Sequence, residues 1–80
     1  MKEDITSVVE LIEILKAYPG DLPVLVSGYK SGYECFYHPE IRGVVHRNEN
    51  MYFDGEFQLP EKGESAEFSA VILERMLRDD

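Results

Sequence analysis

The stretch SVVELIEILKAYPGDLPVLVSGY, residues 7–29, decides the fold. Val8, Leu11, Ile12, Leu15 and Tyr18 recur at intervals of three and four, which lines them along one face of a helix. Glu10, Glu13 and Lys16 fall outside that face and belong in water. Ser7 with Glu10 three residues on is a capping-box pattern, in which each residue satisfies the other's backbone amide. Val9 and Ile14 widen the apolar stripe, so the helix is expected to pack on a sheet. Pro19 ends it, because proline disfavours helical geometry in the residue before it. Gly20 frees the exit. Val24-Leu25-Val26-Ser27 is then β-prone, and its continuous apolar character predicts a strand buried on both faces.

Working outward, GYKSGY, residues 28–33, reads as a loop or wide turn. Glu34 to Tyr37 extends or flanks a strand, and His38-Pro39 interrupts it. Ile41 to Arg47 is the second clear strand. Ile41, Val45 and Arg47 share one face, and Arg42, Val44 and His46 share the other. Asn48-Glu49-Asn50 is a turn, Met51-Tyr52-Phe53 a third strand, and Asp54-Gly55 a turn or kink. Glu56 to Leu59 continues the pairing, and Pro60 to Ser65 is a polar connection. Ala66 to Glu74 is the last strand. Phe68, Ala70 and Ile72 lie on one face and Val71 and Leu73 on the other, so its middle is expected to be covered on both sides. The tail from Arg75 to Asp80 is charged and expected to fray. One helix followed by about four strands predicts a single α+β domain over residues 1–80, the helix on a mostly antiparallel sheet. The far sheet face is either polar or covered by a second subunit.

Composition narrows the function. A chain of 80 residues supports one small core. Cys35 is the only cysteine, so no disulfide forms within the chain and no zinc-type cysteine cluster exists. Small domains without such staples often self-associate, which predicts a homo-oligomer, a dimer or larger. Sixteen acidic residues against eight basic ones give a net charge of −8. That balance argues against direct binding to nucleic acid or to anionic membranes. The charged opening Met1-Lys2-Glu3-Asp4 lacks the apolar core of a signal peptide, and no apolar run is long enough to span a membrane. The expectation is a cytoplasmic protein.

Residues 7–33 also resemble the opening of a family of small bacterial and phage proteins. Its pattern is a Ser- or Thr-capped helix of the form ELIE-x-LK, a proline turn, then D-x-x-V-x-V-x-GY-x-x-GY. Ser7, Glu10, Leu11, Ile12, Leu15, Lys16, Pro19, Asp21, Val24, Val26, Gly28, Tyr29, Gly32 and Tyr33 match it. HPEIRGVV, MYFDGEF and AVILER are similar to its later segments. The chain departs from the pattern at Lys30 and Cys35. The resemblance implies the fold and a phage or prophage context, and no activity.

The GYKSGY loop carries two readings. Glycines let backbone amides approach a ligand, tyrosines stack on a ring, and Lys30 meets a phosphate. Alternatively the tyrosines simply cap the edge of the core. A phosphate-loop ending is absent. Arg42 and His46 share a strand face and form either a small anion-binding patch or cross-strand pairs with acids. Tyr29, Lys30, Ser31, Gly32, Tyr33, Arg42 and His46 are therefore the candidate ligand- or partner-binding residues. Cys35 and His38 fall short of the four ligands of a structural zinc site. They also lack the flanking signature of a cysteine nucleophile. No catalytic residue, metal or cofactor is expected. The favoured function is a non-enzymatic phage or mobile-element accessory protein, a protein–protein interaction module that binds a host or phage protein, with inhibition of a host factor as its expected mode. The alternative is a ligand- or nucleotide-sequestering protein that uses the loop.

Overall fold

The computed structural model describes residues 5–50 and 54–78. The strand expected at Met51-Tyr52-Phe53 lies outside the described residues. Helix α1 spans Val8–Leu15 and carries both halves of the capping box. The Ser7 amide donates to Glu10 Oε1 at 2.8 Å, and the Glu10 amide donates to Ser7 Oγ at 3.2 Å. Regular helix stops at Leu15, before the expected Tyr18. Ala17 and Tyr18 donate to Ile14 and Leu15, three residues back, so the last turn tightens ahead of Pro19.

Among the described residues five strands follow: β1 (Val26–Ser27), β2 (Tyr33–Glu34), β3 (Glu40–His46), β4 (Phe57–Gln58) and β5 (Phe68–Ile72). All pairings are antiparallel. β1 and β2 form one small sheet, and the order β4-β3-β5 forms another. The chain is thus α+β, with its strands divided between two sheets. A bridge between Phe36 and Arg75 joins the parts. Phe36 opposes Arg75 and Glu40 opposes Ile72, so four steps along one chain face three along the other. The extra residue lies in Tyr37-His38-Pro39. Proline has no amide to donate there, which makes this the natural place for a bulge.

β3 and β5 pair over five residues, from Glu40 with Ile72 to Val44 with Phe68. Paired residues point to the same face, so the register sorts the side chains. Val44, Phe68, Ala70 and Ile72 share one face with His46 and Phe57. Phe57 stacks on the His46 ring at 4.9 Å and meets the Phe68 ring edge-on at 5.7 Å. On the other face lie Ile41, Ser69 and Val71. Among the described residues only Val44 and Val45 are buried.

Three expectations change here. Val24 to Ser27 is not a strand buried on both faces, since regular pairing covers only Val26 and Ser27, and Leu22, Val24 and Leu25 are half exposed or more. Nor is β5 covered on both sides. Phe68, Ala70 and Ile72 are half-buried while Ser69 and Val71 are exposed. Nor is α1 packed on the sheet as expected: all of its residues are exposed, and an open groove of about 550 Å³ is lined by α1 on one side and by Ile41 and Val71 on the other, which leaves Val71 uncovered.

The capping box gives a pH signature. The Ser7 amide, and then the Ser7 side chain, hold the Glu10 carboxyl below its ordinary value. A carboxylate whose folded value is lowered contributes fully above the ordinary glutamate range, and the contribution vanishes as pH falls through the lowered value. Wild type should therefore be more helical than Glu10→Ala by circular dichroism at neutral pH. That difference should close on acidification. Ser7→Ala should cost about 1 kcal/mol at neutral pH.

Candidate functional site

GYKSGY forms the turn of the β1–β2 hairpin. Val26 opposes Glu34 and Ser27 opposes Tyr33, and the Gly28 amide donates to the Gly32 carbonyl at 2.9 Å. Two glycines make this turn possible. Gly32 adopts φ of +72°, a region that side chains other than glycine rarely enter. A Cβ on Gly28 would stand 2.5 Å from the Ser31 carbonyl oxygen, which is backbone and cannot swing aside. The loop read from the sequence is therefore a fixed turn, and Tyr33 already belongs to β2.

The turn holds its tyrosines outward. Tyr29 and Tyr33 are 76% and 74% exposed, which does not fit the reading that they cap the core edge. The Arg75 guanidinium lies 5.2 Å from the centre of the Tyr29 ring. That cation–π contact restrains the ring at its base while leaving it open to solvent. Arg78 pairs with Glu34 at 3.0 Å. The Met76 amide donates to the Cys35 carbonyl, the Tyr37 amide to the Glu74 carbonyl, and the Leu77 amide to Tyr37 Oη. The C-terminal segment through Arg78 is thus not a frayed tail. It binds the hairpin base and continues the line of β5. Its charges suggested a solvated end. The backbone pairing that captures it becomes visible only once Phe36 is registered against Arg75.

Arg42 and His46 do share a face, as the alternation implied, but each already has an acidic partner nearby. Arg42 donates to Glu40 at 2.6 Å, on the same strand face two residues away. His46 Nε2 and Glu56 Oε2 lie 2.6 Å apart across the β3–β4 pair, and the His46 amide donates to Glu67 at 2.8 Å. Arg47 and Glu64 pair next to them, and this contact holds the Glu64 carboxyl low and the Arg47 guanidinium high. The seven candidate residues therefore divide. Tyr29, Lys30, Ser31, Gly32 and Tyr33 form the hairpin tip, whereas Arg42 and His46 serve the sheet. Cys35 is exposed, and its carbonyl is held by the C-terminal segment.

The sequence reading missed the α1–sheet groove, lined by Val8, Leu11 and Leu15 on one side and Ile41, Val71 and Leu73 on the other. Its signal was present. The apolar residues of 66–74 alternate onto two faces, and one helix stripe is too narrow to cover the second. Among the described residues, no group of three or more His, Cys, Asp or Glu could hold a metal ion, and no helix is long and apolar enough to cross a membrane. No known protein family, curated protein or solved structure matches the chain.

The hairpin geometry can be tested at its glycines. Gly28→Ala should cost more than about 1 kcal/mol and abolish amide-exchange protection at position 28. Gly20→Ala, where a Cβ meets nothing within 4 Å, should leave stability near wild type.

Proposed function

We propose that this chain is a non-enzymatic interaction module, encoded by a phage or mobile element, that binds a host protein through the tip of the β1–β2 hairpin and thereby inhibits it. The observation that carries this reading is the pair of exposed tyrosines on a turn with no slack. Tyrosines supply large contact area with few rotamers to freeze, which is why they recur as binding hot spots. A preformed turn reduces the ordering cost of binding further. The tip projects from an acidic chain of net charge −8, which favours a partner with a basic surface and speeds encounter with it. The sequence resemblance to small bacterial and phage proteins supports the context.

Affinity capture from a bacterial lysate tests this, with wild type and Tyr29→Ala/Tyr33→Ala as parallel baits. The expected result is a stoichiometric protein held by wild type and weakened by at least about 2 kcal/mol, roughly 30-fold, in the double variant. Capture should also weaken with added salt. A protein retained equally by both baits would overturn the assignment to the hairpin. A bound small molecule lost on Tyr29→Ala would point to ligand sequestration instead.

A further inference from the structure

Four arginines lie among the described residues, and three of them are matched by acids: Arg42 by Glu40, Arg47 by Glu64 and Arg78 by Glu34. Arg75 is the exception. Among the described residues it makes no ion pair and its side chain donates no hydrogen bond, although the chain carries sixteen acids. Its guanidinium lies over the Tyr29 ring instead, 5.2 Å from the centre. Lys30, the next residue of the turn, has no acidic partner among the described residues either. The backbone fixes where the Arg75 side chain begins. Phe36 bridges to Arg75, the Tyr37 amide donates to the Glu74 carbonyl, and the Met76 amide donates to the Cys35 carbonyl. A guanidinium over a ring spends its flat face on that contact and keeps its N–H edge for an acceptor in its own plane. A carboxylate fits such an edge with two parallel hydrogen bonds. Arg75 is half-buried, so salt screens a contact there less than at a fully exposed arginine.

We infer that Arg75 belongs to the hairpin-tip site and receives a carboxylate there from an acidic side chain of the protein partner, with Tyr29 as the platform and Lys30 adding charge beside it. The inference rests on the hairpin tip being the partner site. Charge decides between a carboxylate and a phosphoryl group, the two anions that suit a guanidinium edge. The net charge of −8 repels a dianion more strongly than a single carboxylate. An acidic side chain set in an otherwise basic protein surface escapes that penalty, because its neighbours are attracted to the acidic exterior. Arg78 does not serve as a second donor, since Glu34 already holds it.

Nuclear magnetic resonance of the full chain tests this, with sodium acetate as the probe and sodium chloride at equal ionic strength as the control. Acetate should shift the Arg75 Nε–H and Tyr29 ring resonances, half-saturating at about 10–100 mM, the range that one charge-assisted contact supports. Chloride should produce no saturable shift. Arg75→Gln should abolish the Tyr29 response, and Arg75→Lys, which keeps the charge but not the fork, should weaken it. Equal responses to acetate and chloride in wild type would overturn the inference, and that comparison needs no variant to fold. So would a saturable response centred on Arg42 or Arg47. Phosphate saturating the same resonances at lower concentration than acetate would overturn the choice of a carboxylate. An Arg75→Gln bait in the capture experiment separates this inference from the reading beneath it. A protein lost from the Tyr29→Ala/Tyr33→Ala bait yet held undiminished by Arg75→Gln sinks the role of Arg75 and leaves the hairpin assignment standing. A protein held equally by every bait sinks both.

Discussion

The antiparallel pairing of β3 with β5 is the constraint on which the remaining structure depends. It sets five residue pairs in register, and that register assigns each side chain to a face. Val44 is buried on the face it shares with Phe57 and Phe68, and Val45 is buried on the other. The same pairing continues past the Tyr37–Pro39 bulge to Phe36 and Arg75. There it reaches the β1–β2 hairpin and lets residues 74–78 hold its base. A slip of β5 by one residue would turn Phe68, Ala70 and Ile72 to the face of Ile41 and send Val71 to the face of Val44 and Phe57. It would also carry Arg75 away from Tyr29. The ladder therefore positions both the tyrosine tip and the groove.

How far the sequence revealed this depends on whether an element was defined by local or by distant partners. α1 was legible because its signals are local: a three–four periodicity, a cap within four residues, and a proline stop. β3 and β5 were legible because each alternates over enough residues to be recognised alone. Val24 to Ser27 misled, since an apolar run says that a segment wants cover and not that the same chain supplies it. The C-terminal residues misled in the opposite direction. Arg75 and Arg78 look solvated in sequence, yet a tyrosine ring and Glu34 are waiting for them some forty residues away. The turn glycines marked the GYKSGY tip correctly. The sense in which its tyrosines point depends on Gly28 closing onto Gly32, a contact that no periodicity encodes.

Charge and apolar surface are distributed separately in this molecule, and the separation has a physical logic. Each basic side chain on the sheet meets an acid nearby, as Arg42 with Glu40 and Arg47 with Glu64. These exposed pairs contribute little to stability individually. What they do is neutralise the sheet locally, so the excess acid is left to the outer surface. The groove between α1 and the sheet, by contrast, is nearly free of charge. With a net charge of −8, an acidic exterior opposes indiscriminate association.

The groove and the hairpin tip also differ in what holds them. Only two described residues are buried, so covering the groove would supply the core that the single chain lacks. The hairpin tip is held by different means: a backbone hydrogen bond across the turn, a guanidinium at the Tyr29 ring, and an ion pair at Glu34. None of these contacts needs the groove to be filled. A surface that completes the fold must be apolar and extensive. A surface that recognises a different molecule can be small, provided it is rigid before contact. The groove has the first set of properties and the hairpin the second.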